Sequence, residues 1–406
     1  MAMYEKTNEI KVLRDPIHGY IHVEDQVIWD CINAREFQRL HRIHQLGGDF
    51  QVYHTAEHSR FSHSLGVYEI ARRMIYEVKS LNEALDEDEK IQVMCAALLH
   101  DLGHGPFSHF FESITHVSHE TMTQRLILDP GTEIHQALVQ AKKDLPQKVA
   151  SIIAHTHPRL LLTQIISSQL DADRMDFLLR DAYETGTSYG TFDLERVLRT
   201  LRVCEDKLCV KESGVHSIED YIMARYHMYW QVYLHPDAKS YELLIHMFFK
   251  RYMNIHTQIR PIPIFECLCQ SELSTEDFLL MDEYRMMVGF QEALRSQDPI
   301  LKDFASRILD RHLFDWIEDP TEEQEYEVKE RIQQRNLDLN YYFYEETSRY
   351  QAYLPYQEKE EGQMIWILTS KKELLSLSKC SEIVKALLKM PNKTKKRIYF
   401  AKENRR

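Results

Sequence analysis

The run Met94-Cys-Ala-Ala-Leu-Leu-His-Asp-Leu-Gly-His-Gly-Pro-Phe-Ser-His109 constrains this chain more than any other stretch, because it sets a histidine and a carboxylate side by side at the end of an apolar helix. Ile91, Met94, Cys95, Leu98, Leu99 and Leu102 recur at i, i+3, i+4 and i+7, which predicts an amphipathic helix that carries His100 and Asp101 toward the interior. Gly103, Gly105 and Pro106 then end it. Ionisable groups taken out of water are costly unless paired or metal-bound. For the dipeptide alone two readings stand: a satisfied core histidine beside a helix-end Asp, or a metal-ligand pair. The rest of the chain favours the second, since 15 of its 21 histidines precede residue 160, a concentration that neither a solvated surface nor an apolar core requires.

Two more segments carry matching chemistry. His63 lies in Ser59-Arg-Phe-Ser-His-Ser-Leu-Gly-Val67, where Leu65, Val67, Ile70 and Met74 open a second helical pattern. Downstream, Gln169-Leu-Asp-Ala-Asp-Arg-Met-Asp-Phe-Leu-Leu-Arg-Asp181 spaces carboxylates through a third helix, with Leu170, Phe177 and Leu178 available to pack.

Taken in order, Arg60-x-x-His63, His100-Asp101 and Asp173 form the pattern of the HD superfamily of metal-dependent phosphohydrolases. Within it the chain resembles the deoxynucleoside triphosphate triphosphohydrolases, bacterial and vertebrate. The likeness includes Asp15-Pro-Ile-His-Gly19, Phe37-Gln-Arg-Leu40, Gln45-Leu-Gly-Gly48, His63-Ser-Leu-Gly66, His100 to His109 and Asp171-x-Asp173, within residues 10 to 250. The SAM domain of the vertebrate enzyme has no counterpart.

The resemblance implies that His63, His100, Asp101 and Asp173 hold one divalent ion. Two imidazoles and two carboxylates form a mixed N/O set suited to Fe, Mn, Mg, Ni or Zn. It also implies cleavage at the α-phosphorus, releasing deoxynucleoside and tripolyphosphate. A triphosphate brings about four negative charges to a protein of formal charge -13, so local cations must outweigh the global field. Arg60, one helical turn before His63, is the expected phosphate clamp. By resemblance His104 and His109 lie near the phosphates and His119 is the general acid for the departing 5′-oxygen. Arg174 and Arg180 either reach phosphate or belong to a solvated face. Asp181 matches the position that receives the sugar 3′-hydroxyl, and Gln45 and Leu46 match positions lining the sugar. Phe177 stands where the vertebrate enzyme has a sugar-contacting tyrosine, so one hydroxyl donor is missing there, worth on the order of 1 kcal/mol.

The stretch Glu9 to Gly19, with an expected helix from Asn33 to Arg42, resembles a segment that holds an activating nucleotide between subunits. Lys11, Val12, Gln38 and Arg39 match it, whereas Asn33 and His41 replace the guanine-reading Asp and Arg. Asn offers one acceptor and one donor group where a carboxylate offers only acceptors, so either activator choice is expected to differ or the site is expected to be weak. The alternative is that this stretch only packs subunits. A homotetramer with deoxynucleoside triphosphates as substrate and activator is the expected assembly.

Composition adds limits. A chain of 406 residues, 44% hydrophobic with 12 Gly and 12 Pro, predicts a mostly α protein with a substantial core. No apolar run approaches the roughly 18 residues that span a membrane, and a cytoplasmic location is expected. Seven Cys without a Cys-x-x-Cys pair predict reduced thiols. The aromatic run Asp220 to His235 reads as buried helix or interface, with Arg225 and His235 as possible nucleotide contacts.

Three regions are expected: residues 1–50 serving assembly and the second nucleotide site, a helical HD core over 51–315, and a small α+β appendage over 316–406. In the last, Tyr341–Tyr344, Met364–Leu368 and Arg397–Phe400 read as strands and Ser381–Met390 as a helix, while Glu318–Glu327 starts another helix. The basic end Lys393-Thr-Lys-Lys-Arg397 with Arg405-Arg406 reads as a solvated tail rather than a nucleic-acid surface. Phosphodiesterase or nuclease action, and a nucleotide sensor with little turnover, are the alternative functions.

Overall fold

In the computed structural model the central element is the helix Glu87–Leu99. Asp86 caps it: its carboxylate accepts from Glu89 N, and the Glu89 side chain accepts from the Asp86 N–H, satisfying two donors that a helix start leaves open. From Lys90 to Leu99 every residue is buried, because helices Arg60–Glu77, Leu145–Ile153, Leu160–Ile166 and Gln26–Asn33 pack around it. Instead of the expected one-sided stripe the helix is buried all round from Lys90 on, and it stops at Leu99, so Leu102 falls outside it. Helix Ala172–Thr185 packs on Arg60–Glu77 and completes the layer that carries the candidate site. Residues 4–270, 272–349, 364–389 and 394–402 are described.

The fold is mostly helical, with three small sheets. Strands β1 (Lys6–Asp15) and β2 (Gly19–Asp25) form an antiparallel hairpin that sequence patterning does not announce, since β1 exposes most of its residues, Ile10 and Val12 included. Its turn closes because Asp15 Oδ1 accepts the N–H groups of Ile17 and His18 and Gly19 takes a left-handed conformation, φ +73°. The expected helix from Asn33 to Arg42 is broken: Gln26–Asn33 ends at Ala34, which is extended, and a short helix Arg35–Gln38 runs into a 3-10 turn Arg39–Arg42.

A four-stranded sheet joins the hairpin β3 (Leu201–Cys204) and β4 (Lys207–Lys211) to β7 (Trp366–Leu368) and β8 (Leu374–Ser376), with β4 and β7 parallel. The C-terminal region is therefore stitched into the helical part. The third sheet has the order β5 (Asp315–Glu318), β9 (Thr394–Phe400), β6 (Phe343–Arg349). Tyr341 and Tyr342, expected in a strand, close a helical turn, and β6 starts at Phe343. The basic run is not a solvated tail where it is described: β9 is a central strand, Lys395 and Arg397 pair with Glu318, and Lys396 pairs with Glu325 and Glu345. Lys393 and Arg405-Arg406 lie outside the described residues. All seven cysteines are free thiols. No described helix is long and apolar enough to cross a membrane.

A candidate metal centre

Three chain segments converge on one point. Helix Arg60–Glu77 brings His63, the end of Glu87–Leu99 brings His100 and Asp101, and the first turn of Ala172–Thr185 brings Asp173. His63 Nε2 lies 3.1 Å from Asp173 Oδ1 and 3.8 Å from Asp101 Oδ2. His100 Nε2 lies 3.3 Å from Asp101 Oδ1 and 3.7 Å from Asp173 Oδ1. The two imidazoles meet edge to face, 5.3 Å between centroids.

The tautomers fit a metal. His100 Nδ1 donates to Ala97 O at 2.9 Å, which leaves Nε2 as a lone pair, buried and with no hydrogen-bond partner among the described residues. His63 Nδ1 donates to Asp176 Oδ2 at 2.8 Å, again turning Nε2 to the cluster. A ligating imidazole whose second nitrogen is held by a carbonyl or carboxylate is the usual support of a metal site. Burial alone would raise the Asp101 and Asp173 carboxyls. The charges of His100, Arg60 and His104 hold Asp101 well below the usual range, and the neighbouring His100 and His63 imidazoles do the same for Asp173. Burial alone would lower the His63 imidazole, but its contacts with Asp173 and Asp176 push it up to about 10. A divalent ion that displaced the His63 proton would find two imidazole nitrogens and ionised carboxylate oxygens, a donor set for one such ion.

Asp176, which sequence reading passed over, underpins this arrangement. It accepts from His63 Nδ1, from His18 Nε2 at 2.6 Å, and from Arg180 Nε and Nη2, each at 2.9 Å. Burial would raise its carboxyl, yet the Arg180 charge and these donors hold it well below the usual range. Gly66 makes room: a Cβ there would sit 1.8 Å from Asp176 Oδ1. The i, i+4 spacing of Asp176 and Arg180 was the available signal.

On one side of the cluster lie the groups expected to meet phosphate. Arg60 is buried, pairs with Asp101 and donates to Ser108 Oγ at 2.7 Å and Gln45 O at 3.3 Å. Phe107 and Ser108 both take positive φ, so backbone strain is stored where Arg60 docks. His104 Nε2 lies 3.4 Å from Asp101 Oδ1, and its ring stacks on His119 at 3.9 Å and 14°. His119 Nδ1 is 2.7 Å from Glu112 Oε1. Asp101, His104 and His119 are close enough to suggest a second ion. Parallel stacked rings, however, send their in-plane lone pairs along parallel lines, so the two imidazoles cannot converge on one centre. Burial and the Arg60 charge hold His104 well below its ordinary value, which suits a neutral donor or acceptor. The side chain of His109 lies outside the described residues.

On the other side is Asp181, two turns along the Asp173 helix. His58 Nε2 meets its Oδ1 at 2.8 Å and the Tyr233 hydroxyl donates to its Oδ2 at 2.7 Å. Neither His58 nor Tyr233 was picked out from sequence. Tyr233 ends a π-helical turn, Tyr229–Tyr233, that continues and underwinds helix Val215–Met228 before Pro236, the kind of irregularity that often marks functional sites. Phe177 packs edge-on against Tyr233 at 6.1 Å, so a hydroxyl does stand beside it. Gln45 and Leu46 are half-buried, and Gln45 Oε1 has no partner among the described residues.

Other expected residues sit elsewhere. Arg180, 1% exposed, is enclosed between Asp176 and Asp15 and presents nothing to a ligand. Arg174 pairs with Asp171 and the carbonyl of Ser168. Arg225 donates to Gln169 Oε1, and His235 caps the next helix by accepting from Asp237 N. Of the second nucleotide set, Lys11 pairs with Glu9, Val12 is exposed, Asn33 and Gln38 donate to the carbonyls of Trp29 and Ile32, and His41 stacks on Phe61 at 3.6 Å. Arg39 does not belong with them. It is buried, donates to Met281 O through Nε and Nη2 and to His104 O through Nη1, and lies 4.3 Å from the Phe278 ring, so its donors face the interior.

A family model described as HD domain matches residues 60–181, and one described as HD associated region matches residues 192–406. An uncharacterized protein of Bacillus subtilis is 43% identical over 98% of this chain and 94% of its own length. A deoxynucleoside triphosphate triphosphohydrolase of Danio rerio is 28% identical over 80% of this chain and 58% of its own length. The solved structure of a phosphohydrolase from Bacteroides thetaiotaomicron superimposes with a TM-score of 0.85 at 26% identity, covering 97% of this chain and 100% of the other. With the matched models spanning the site and the whole C-terminal half, the chain belongs to the HD-domain phosphohydrolases.

Proposed function

We propose that this protein hydrolyses deoxynucleoside triphosphates to deoxynucleoside and tripolyphosphate with one divalent ion held by His63, His100, Asp101 and Asp173. The observation that carries the reading is the layout of one helix: Asp173 stands at the metal cluster and Asp181, eight residues on and about 12 Å along the axis, stands with Tyr233 and His58. A substrate with phosphate at one end and a sugar hydroxyl at the other lies along that helix. When bound, the ion would polarise a phosphoryl oxygen and make its water a nucleophile near neutral pH. Arg60 offsets phosphate charge from inside the pocket, with His104 beside the phosphates. His119, oriented by Glu112, gives a proton to the departing 5′-oxygen. Asp181 and Tyr233 take the 3′-hydroxyl, Gln45 and Leu46 line the sugar, and Phe177 walls it. The similarity to a named triphosphohydrolase supports this substrate class.

Lys11 and Val12 on the exposed hairpin, with Asn33, Gln38 and His41, are the proposed second nucleotide site, shared between subunits of a homotetramer. The test is anion-exchange analysis of products from each of the four deoxynucleoside triphosphates, alone and in pairs, for wild type and Asp101→Ala. Deoxynucleoside and tripolyphosphate from wild type alone are the expected products. Release of pyrophosphate, or cleavage of phosphodiesters only, would overturn the reading.

A further inference from the structure

The motif Asp15-Pro-Ile-His-Gly19 has no part in the function above, yet its side chains end directly behind the metal cluster. His18 is buried, with 1% of its side chain exposed, and its Nε2 is 2.6 Å from Asp176 Oδ1. Asp15 divides its carboxylate: Oδ1 accepts the Ile17 and His18 N–H groups that shape the turn, and Oδ2 accepts Arg180 Nη1 at 2.9 Å. Arg180 then grips both oxygens of Asp176. With His63 Nδ1 as the fourth donor, Asp176 accepts as many hydrogen bonds as its lone pairs allow. Of its four donors, His18 comes from the turn and two come from an arginine the turn clamps. A carboxylate on the far nitrogen of a ligating imidazole fixes the tautomer and raises the ligand's basicity, and loss of such support costs metal affinity.

We propose that the Asp15–Gly19 turn is a working part of the metal centre: His18, together with Asp15 acting through Arg180, positions Asp176 and thereby sets how tightly His63 holds the ion. This rests on the metal reading of the cluster. His18, Asp15 and Arg180 are positioning residues, reaching the ion only through Asp176 and His63. Because the turn joins the two strands of an exposed hairpin, the seating of that hairpin is coupled to metal affinity.

The experiment uses the full chain stripped with a chelator and Co2+ as the probe, with affinity measured by visible absorption and by competition, and folding checked by circular dichroism. His18→Phe, which removes the donor, lowers Co2+ affinity by about 10- to 100-fold, whereas His18→Gln, whose amide N–H reaches the same oxygen, restores most of it. Asp15→Asn, which weakens the hold on Arg180, lowers affinity by about 10-fold, and it decides the matter if His18→Phe does not fold. Wild-type affinity in folded His18→Phe or in Asp15→Asn overturns the proposal, as does a loss in His18→Gln as large as in His18→Phe. Co2+ uptake that Asp101→Ala abolishes but His18→Phe leaves intact overturns this proposal alone. Uptake indifferent to Asp101→Ala overturns the metal reading, and this proposal with it.

Discussion

At Gly66 helix propensity and packing oppose each other. Alanine inside a helix normally stabilises by about 1 kcal/mol over glycine. Here the added Cβ would lie 1.8 Å from Asp176 Oδ1 and 2.5 Å from Arg180 Nη2, both buried and without room to retreat. Overpacking costs about 1–3 kcal/mol, and partly prying a buried carboxylate from its donors adds a comparable amount, given about 3–5 kcal/mol for a fully broken pair. Against the propensity gain the net loss is about 3 kcal/mol. With an unfolding entropy of about 2.1 cal/mol/K per residue, a chain of 406 residues then melts about 3–4 °C lower. Displacing Asp176 also releases His63 Nδ1, so divalent-metal affinity falls by about 10- to 100-fold. Thermal unfolding followed by circular dichroism, with Co2+ titration of the same samples, reads both effects. Gly66→Ala that melts at or above the wild-type temperature and binds Co2+ normally would refute the argument that helix spacing at Gly66 seats Asp176.

Tyr233→Phe removes the hydroxyl from Asp181 and should raise KM for deoxynucleoside triphosphates about 5-fold, the equivalent of ~1 kcal/mol, with kcat retained; an unchanged KM removes Tyr233 from the substrate site. His119→Ala should lower kcat by about 10²- to 10⁴-fold while elemental analysis finds the metal content of wild type, and loss of metal instead would make His119 a ligand. Burial would lower the His44 imidazole, but the Glu283 hydrogen bond and charge hold it above its ordinary value. A histidine with a raised folded-state pKa stabilises fully below its unfolded pKa of about 6.5 and loses that contribution as pH rises through the folded value. The melting-temperature advantage of wild type over His44→Gln should therefore shrink from mildly acidic to alkaline pH, and an advantage that grows contradicts the pairing.

The grouping of His63, His100, Asp101 and Asp173 was legible through the likeness to the HD pattern, whereas residue type and the helix end alone pointed no further than His100 and Asp101. What lies behind and beside them was not. His58 and Tyr233 reach Asp181 from segments far apart in sequence, and Tyr233 does so through a π turn that no periodicity announces. Arg39 was expected at the second nucleotide site and Arg180 either at phosphate or on a solvated face, but the folded chain uses one to bond backbone carbonyls and the other to hold two carboxylates. The β1–β2 hairpin escaped detection because β1 buries little on either face and so lacks the alternation that marks a half-buried strand. Strands near the C-terminus were legible from their β-branched and aromatic runs, whereas the parallel β4–β7 pairing depends on tertiary contact alone.

Metal titration of activity tests the central claim most directly. Chelator-stripped protein receives Mn2+ in sub-stoichiometric steps while deoxynucleoside release is measured at each step. The account predicts no turnover in stripped protein and a linear rise that breaks at one ion per chain. Turnover without metal, or a break at two ions per chain, would contradict a single ion held by His63, His100, Asp101 and Asp173.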